Sequence, residues 1–108
     1  MFARVLDFEL KPEKKDDFIR TLKNQVMPIL KKHAGFLEIL PLFPENVKEE
    51  KVCVLSLWNT KSDAERYDRD SYNKVYDIVK PFLVTPVSVN FYTLETTLCE
   101  HFVESLTA

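Results

Sequence analysis

The stretch Val52-Cys53-Val54-Leu55-Ser56-Leu57-Trp58 decides the fold of this chain. It is a short apolar run rich in β-branched and aliphatic residues, which indicates a β-strand. Successive side chains of a strand point to opposite faces of the sheet. One face therefore carries Val52, Val54 and Trp58, and the other carries Cys53, Leu55 and Leu57. Because both faces are apolar, we expect both to be covered.

The chain before this strand predicts another strand and a helix. Phe2 to Leu10 alternates loosely between apolar and polar residues and is predicted as strand one. Pro12 suits the first turn of a helix, and Gly35 supplies the left-handed conformation that commonly ends one. Pro28 lies inside this helix and removes a backbone donor. We therefore expect a kink or an early end near residues 24–26.

A hairpin, a second helix and a last strand complete the predicted order. Strand two, residues 36–43, is joined to strand three by a charged loop. The spacing in Ser62-Asp63-Ala64-Glu65 is that of a capping box and predicts the start of helix two, which restarts at Ser71. Val87 to Leu94 is predicted as strand four. The order β-α-β-β-α-β predicts a ferredoxin-like α+β fold, with a four-stranded antiparallel sheet and both helices on one face.

Composition favours one folded domain. The 108 residues are 45% hydrophobic and 30% charged, which is enough apolar content for a single core. We assign residues 1–94 to the domain and residues 95–108 to a C-terminal tail. In the tail, Leu98, Phe102 and Leu106 share one face of a predicted short helix that packs on the domain or on a partner subunit.

Charge, glycine content and cysteine content argue against several classes of partner. A net charge of −2 creates no positive field for nucleic acid or anionic lipid, and no apolar run is long enough to span a membrane. A single glycine excludes glycine-rich phosphate loops. Cys53 and Cys99 form no motif and no signal peptide is visible, so we expect a cytoplasmic protein. Cys99 and His101 lack further ligands nearby, so no metal site is expected.

The apolar character of both sheet faces predicts self-association. Two helices on one face of a sheet cannot cover the other face. The simplest cover is the same face of a second copy, in the symmetric contact that most small homo-oligomers use. We therefore predict a homodimer.

Three motifs carry a resemblance to a known family. They are Ala34-Gly35-Phe36 at the start of strand two, the passage from residues 54–58 into Ser62-Asp63-Ala64, and Ser71-Tyr72 where helix two restarts. Over about residues 2–94, the chain resembles the antibiotic-biosynthesis-monooxygenase family of dimeric α+β barrels. The resemblance implies that two sheets close into a barrel with the helices outside.

Members of that family have several functions, and the resemblance implies that this chain has one of them. The family includes oxygenases that act on polycyclic phenols without metal or flavin, haem-degrading enzymes, and members with no assigned reaction. The haem-degrading members use an Asn, a Trp and a His whose positions fall at Leu6, Tyr67 and Asp77 here. All three are replaced, so haem degradation is not expected. The remaining expectation is a cofactor-independent protein that binds a small apolar or aromatic molecule of the phenol or quinone type.

Cofactor-free oxygenation needs an apolar pocket, a proton acceptor and donors that stabilise a developing oxyanion. Arg4 shares a strand face with Leu6 and could hold a phenolate, or it could form an ion pair at the sheet edge. Tyr67 could supply a hydroxyl donor and Asp77 a carboxylate base. The alternative for both is a helix surface that faces water.

Four further residues are candidates for binding the ligand. Leu6 occupies the family's strand-one position, and Trp58 could form the wall of a pocket for a planar molecule, or it could fill the core. Asn90 could donate a hydrogen bond into the pocket or lie at a wet edge. His33 falls in the last turn of helix one, where its alternative role is to interact with the helix dipole. Two functions stay open: a monooxygenase-like enzyme, and a non-catalytic dimeric binding or accessory protein.

Overall fold

The computed structural model describes residues 1–46 and 51–98. In this part of the chain one antiparallel sheet has the strand order β2-β3-β1-β4. Its strands are β1 (Phe2–Glu9), β2 (Phe36–Leu42), β3 (Lys51–Trp58) and β4 (Ser88–Thr93). The central position of β1 and β3 and the order of elements are those of the ferredoxin-like α+β fold. The predicted fold class is confirmed.

Two helical regions connect the strands. The first consists of α1 (Lys15–Thr21), a π-helical turn (Leu22–Val26) and α2 (Met27–Lys31). The second consists of α3 (Lys61–Asp70), α4 (Tyr72–Val79) and a 3₁₀ turn (Lys80–Phe82). Both regions contribute buried side chains to one core together with the same face of β1 and β3. We call this the helix face of the sheet and the other the open face.

The predicted disturbance in the first helix is present as a π-helical turn. Pro28 has no N–H to donate to the carbonyl of Asn24, and its ring crowds that turn. The wider π-helical turn over Leu22–Val26 lies just before it, and the chain then continues as α2. The helix is therefore interrupted near the expected residues but does not end there.

The start of the first helix was predicted too early. Helix α1 begins at Lys15, because Glu13 has a positive φ of 62°, which a helix cannot contain. Leu10 instead bridges to Leu83, and the Lys11 N–H donates to the Phe82 carbonyl at 2.8 Å. Strand-like pairing thus extends past β1 before the helix starts.

Gly35 has the predicted left-handed conformation, with φ 82°, but it lies in the turn that leads into β2. A Cβ at this position would collide with the side chain of Asp63. Its carbonyl accepts a hydrogen bond from the Asn59 N–H at 2.8 Å. Glycine is required here for its conformation and for the close approach of the α3 N-terminus.

The N-terminal cap of α3 lies two residues before the predicted one. Thr60 is extended, its Oγ1 accepts from the Asp63 N–H at 3.1 Å, and it donates to Asp63 Oδ2 at 2.9 Å. Ser62 already lies inside the helix. The capping pair is therefore Thr60 with Asp63. The Asp63 carboxylate accepts from the Thr60 hydroxyl, whereas in the predicted Ser-x-x-Glu box the carboxylate would accept from the backbone N–H of the capping residue. The restart at Ser71 is confirmed, since α4 begins at Tyr72.

The centre of the open face is apolar, as predicted, whereas Asp7, Ser88 and Asn90 are polar and exposed on the same face. Ala3 and Leu57 are buried on it, and Val5, Leu40, Cys53 and Leu55 are half-buried. Leu42 and Tyr92 are 54% and 56% exposed. Glu38 interrupts the apolar surface because a bulge between Phe36 and Glu38 brings it opposite Leu57. Strand β2 is thus less apolar on this face than its composition suggested.

The chain beyond β4 is described only as far as Leu98, which is 88% exposed. The predicted terminal helix with Phe102 and Leu106 lies outside the described residues. Over residues 1–46 and 51–98, no helix is both long enough and apolar enough to cross a membrane.

Candidate functional site

The site is built around Arg4, a charged residue in the middle of the sheet. It lies on β1 opposite Ser56 of β3 and Phe91 of β4. Because side chains alternate along a strand, Arg4 shares the helix face with Phe2, Leu6 and Phe8. The packed helices leave only 1% of it exposed. A guanidinium buried this deeply needs partners that replace water.

Aromatic rings and one carboxylate surround this guanidinium. Arg4 Nη2 donates to Asp68 Oδ1 at 2.6 Å, and the Asp68 side chain is 43% exposed. The Arg4 Cζ lies 4.4 Å from the ring centroid of Tyr72, 5.2 Å from that of Tyr67 and 5.8 Å from that of Phe91. The negative faces of these rings offset part of the cost of burying the charge.

One donor of Arg4 has no partner. Its Nε is buried, and no hydrogen-bond acceptor within residues 1–46 and 51–98 reaches it. Leaving such a group unsatisfied costs roughly 1–3 kcal/mol, and more for a charged group. The sequence and fold therefore place an unused, positively charged donor on the helix face of the sheet.

A cavity of about 40 Å³ lies beside Arg4, between the helix face and both helical regions. Its walls are mainly apolar, and its polar lining consists of Arg4, one serine and three tyrosines. The lining residues are Arg4, Leu6, Phe8, Phe18, Leu22, Val26, Leu30, Ile39, Val54, Ser56, Tyr67, Tyr72, Val75, Tyr76, Val79 and Val87. The volume suits roughly two or three water molecules. A larger ligand must displace wall side chains to enter.

The hydroxyls of Tyr67 and Tyr72 are suited to donate hydrogen bonds. Burial raises the pKa of Tyr67, and the nearby Arg4 lowers it by less. Burial likewise raises the pKa of Tyr72 against the opposing effect of Arg4. Both phenols remain protonated at neutral pH. They can donate to an oxyanion but cannot act as bases there.

Trp58 packs against two residues that line the cavity. It is 0% exposed, and its indole Nε1–H donates to Ser56 Oγ at 3.0 Å. Its ring stacks on Tyr67, with centroids 5.0 Å apart and planes inclined by 26°. This contact fixes the Tyr67 ring against Arg4, and the bond to Ser56 fixes a hydroxyl on the cavity wall.

His33 lies behind the same tyrosine. It follows α2 by two residues instead of occupying the last helical turn. Its Nε2 shares a hydrogen bond of 2.7 Å with Ser71 Oγ, at the break between α3 and α4. Its ring meets Tyr67 edge-on, with centroids 5.4 Å apart. His33 thus joins the two helical regions and does not line the cavity.

The structure brings together three of the residues singled out from sequence. Arg4, Leu6 and Tyr67 all line the cavity. Trp58 and His33 lie outside its lining and contact it through Tyr67.

Two other candidates lie away from the cavity. Asp77 is exposed, because Tyr72, Val75, Tyr76 and Val79 form the inward stripe of α4 and Asp77 falls on its outer side. Asn90 pairs with Val5 and is exposed on the open face, because it is offset by one residue from Phe91. Neither side chain is placed to act on a molecule bound beside Arg4.

Sequence reasoning missed two residues that complete the site. Neither Asp68 nor Tyr72 was among the candidate site residues. Both contact Arg4, Asp68 from the end of α3 through its carboxylate and Tyr72 from the start of α4 through its ring. A tyrosine beside an acid, opposite a buried arginine, is the signal that could have identified them.

A second cleft, of about 520 Å³, opens at the end of β1 and the start of β3. Asp7, Glu9, Lys51 and Cys53 lie among its lining residues. Burial, and then the Asp7 carboxylate, raise the pKa of the Cys53 thiol. A thiol with a raised pKa is less often the reactive thiolate. The cleft is wide and open and contains no buried charge, so the Arg4 cavity is the stronger candidate.

Among residues 1–46 and 51–98, no three histidine, cysteine, aspartate or glutamate side chains gather into a group that could hold a metal ion.

The fold and this site define a class: a small ferredoxin-like domain with an apolar cavity and a charged donor between its sheet and helices. Solved structures with this fold bear the name that the sequence motifs suggested. A protein of Nitrosomonas europaea, provisionally named an antibiotic biosynthesis monooxygenase, superposes with a TM-score of 0.68 and 15% identity. The match covers 87% of this chain and 98% of that one.

A cofactor-independent oxygenase of Streptomyces nogalater, SnoaB, superposes with a TM-score of 0.72 at 12% identity, over 91% of this chain and 96% of that one. A conserved protein of Methanosarcina mazei is 21% identical, with a TM-score of 0.66, over 88% and 94% of the two chains. No family model matches the sequence, and no curated protein matches it significantly. At these identities the likeness shows a shared fold, and the resemblance predicted from sequence is confirmed at that level.

Proposed function

We propose that this protein binds a small, mostly apolar and planar molecule in the cavity beside Arg4, and that it oxygenates this molecule without a cofactor. The observation that carries the proposal is the buried Arg4 guanidinium. It is 1% exposed and lines an apolar cavity, and its Nε has no hydrogen-bond partner among residues 1–46 and 51–98. A ligand oxygen that accepts from this donor would satisfy it. Apolar walls would hold the remainder of the ligand.

Oxygenation without a cofactor requires little of the protein beyond binding the substrate and stabilising its negative charge. A deprotonated, electron-rich substrate reduces molecular oxygen itself. One oxygen atom then enters the substrate, where a CH₂ group becomes C=O, and the other leaves in water with the two displaced hydrogens. Arg4 would hold the oxyanion of the substrate, while the protonated hydroxyls of Tyr67 and Tyr72 donate to the charge that develops. The fold shared with a cofactor-independent oxygenase supports this proposal.

Assembly is part of the proposal. The apolar open face, with exposed Leu42 and Tyr92, supports a homodimer in which two such faces meet. In this arrangement the site lies on the outer side of each sheet, under its own helices. We retain the prediction that the protein works in the cytoplasm.

A binding or accessory protein without turnover is the second candidate. The observation that favours it is that Asp77, the carboxylate predicted as a base, is exposed and outside the cavity lining. Such a protein would hold the same ligand at Arg4 and release it unchanged.

Oxygen consumption separates the two candidates. We expect uptake of oxygen with anthrone-type compounds at a pH at which they are ionised. The rate of uptake should fall roughly ten- to a hundredfold in Arg4→Met, because one charge-assisted hydrogen bond is removed. Arg20→Met is the matched control, because Arg20 forms a comparable ion pair with Asp17 at 3.1 Å on the surface.

A Tyr67→Phe variant tests the hydroxyl without removing the ring. Binding of the compounds without oxygen uptake would favour the accessory protein. Equal uptake by wild type and Arg4→Met would contradict the proposed site.

A further inference from the structure

We propose that the cavity beside Arg4 accepts its ligand as an anion that has already formed in water, so that the ligands are acidic enols, hydroxyquinones or similarly acidic phenols. This inference rests on the proposed function and narrows its substrate class. A phenol of ordinary acidity would be a poor ligand.

Among the residues that the structure describes, none that lines the cavity could remove a proton from a bound ligand. The cavity lining within the described part of the chain includes no aspartate, glutamate, histidine or lysine. Arg4 cannot serve, because a guanidinium keeps its proton in proteins. The carboxylate of Asp68 is bound to Arg4 Nη2 at 2.6 Å and is not part of the lining. A neutral ligand would therefore have no base within reach.

Two phenol groups of the protein itself, the side chains of two tyrosines, lie beside Arg4. Their pKa values indicate how this environment affects the acidity of a phenol. The side chains of Tyr67 and Tyr72 lie with their ring centroids 5.2 and 4.4 Å from the Arg4 Cζ. For both, burial raises the pKa by more than Arg4 lowers it. A ligand with the acidity of a tyrosine, whose pKa is near 10 in water, would likewise stay neutral there.

Asp68 weakens the electrostatic attraction between Arg4 and an incoming anion. Its carboxylate offsets part of the guanidinium charge, and its 43% exposure lets water screen the pair. The remaining attraction favours binding of a ligand that is already an anion. It is too weak to ionise a weak acid inside an apolar cavity. The ligand loses its proton to bulk water before binding, so binding itself requires no proton transfer within the protein.

Binding measured against pH tests this inference directly. The probes are 4-nitrophenol and 2-hydroxy-1,4-naphthoquinone, whose visible spectra differ between the acid and its anion, and their methyl ethers as neutral shape-matched controls. Below the pKa of each acid, we expect the apparent affinity to fall about tenfold per pH unit, following the fraction ionised. The bound spectrum should be that of the anion, and the methyl ethers should bind at least about tenfold more weakly.

Three outcomes are distinguishable. Binding of the anions alone, lost in Arg4→Met and kept in Arg20→Met, supports the inference. Binding of the neutral acids and methyl ethers as tightly as the anions overturns it, while the proposed site at Arg4 stands if Arg4→Met still weakens binding. No binding of any probe, at any pH, overturns both the inference and the proposed function.

An Asp68→Asn variant provides an independent test that leaves Arg4 in place. Neutralising this half-exposed partner frees more of the guanidinium charge, so we expect anions to bind more tightly by up to about fivefold. Asp17→Asn, which neutralises the exposed partner of Arg20, should leave binding unchanged. Weaker binding of the anions in Asp68→Asn, with thermal unfolding unchanged, would contradict the role of the Arg4 charge.

Discussion

Both faces of the sheet carry apolar residues, but they differ in what is buried and what is exposed. On the helix face, Trp58, Phe8 and Val54 are buried within the subunit, and a charged residue, Arg4, lies among them. On the open face, Leu42 and Tyr92 remain exposed. Burying a charge inside a packed face costs free energy, so a buried charge suggests a functional role. Apolar residues that stay exposed on the other face suggest a contact with another molecule. This comparison is the reason why we propose chemistry on the helix face and assembly through the open face.

The largest expected effect is at Trp58 on the helix face. Trp58→Ala removes a side chain that is 0% exposed, and should lower the free energy of unfolding by about 3–5 kcal/mol. The loss should be the same at every protein concentration, because this residue stabilises the subunit. Tyr92→Ala on the open face is the comparison, and we expect its effect to depend on concentration. Urea denaturation at two protein concentrations checks both, and a concentration-dependent loss in Trp58→Ala would break the distinction.

The next effect concerns assembly through the open face. Leu55→Asp places a carboxylate at the half-buried centre of that face. We expect the dissociation constant of the dimer to rise at least about a hundredfold, because an unpaired charge would be buried in the contact. Light scattering across a dilution series measures it. Gln25→Glu adds the same charge to the exposed helix surface and should leave the dimer intact. A wild type that is monomeric at micromolar concentration would refute this use of the open face.

A smaller effect appears at high pH on the helix face. Burial raises the pKa of Tyr67 in the folded protein, so the unfolded chain loses this proton first as the pH rises above about 10. The folded state then binds more protons than the unfolded state, and stability falls with pH by up to about 1.4 kcal/mol per unit. Tyr67→Phe should make the fall above pH 10 less steep. Tyr92→Phe is the open-face control, and an identical decline in all three proteins would contradict the burial of Tyr67.

The smallest effect is on stability at Arg4. Arg4→Met should leave the free energy of unfolding unchanged or raise it slightly, because an apolar side chain of similar length replaces a buried charge and Asp68 can reach water. Thermal unfolding monitored by circular dichroism checks this. A loss above about 3 kcal/mol would mean that the arginine is retained for stability, and it would remove the argument that its burial indicates function.

Much of the fold was predictable because it depends on local patterns. The alternation in Phe2–Glu9 and the apolar run at β3 predicted both central strands, and Pro28 predicted the site of the π-helical turn. The start of α1 was missed because the positive φ of Glu13 has no sequence signal as clear as glycine. The cap at Thr60 was missed because an equally good pattern at Ser62 lies two residues later.

The site was predictable only in part, because it depends on which helix turn packs against which strand. Arg4 and Tyr67 were singled out, since Arg4 shares a strand face with Leu6 and Tyr67 matches a family position. Asp77 and Tyr76 are neighbours in sequence, but only the packed structure shows that Tyr76 faces the cavity and Asp77 faces water. Asp68 becomes meaningful only once α3 lies over Arg4.

A crystal structure with 2-hydroxy-1,4-naphthoquinone tests the central claim most directly, namely that the helix face carries the chemistry. We predict that the ligand lies between the sheet and the helices, with its ionised oxygen about 2.7–2.9 Å from Arg4 Nε and the walls of the cavity displaced around it. A ligand bound instead on the open face, or in the cleft beside Cys53, with the cavity unchanged and Arg4 Nε still unpaired, would contradict the account.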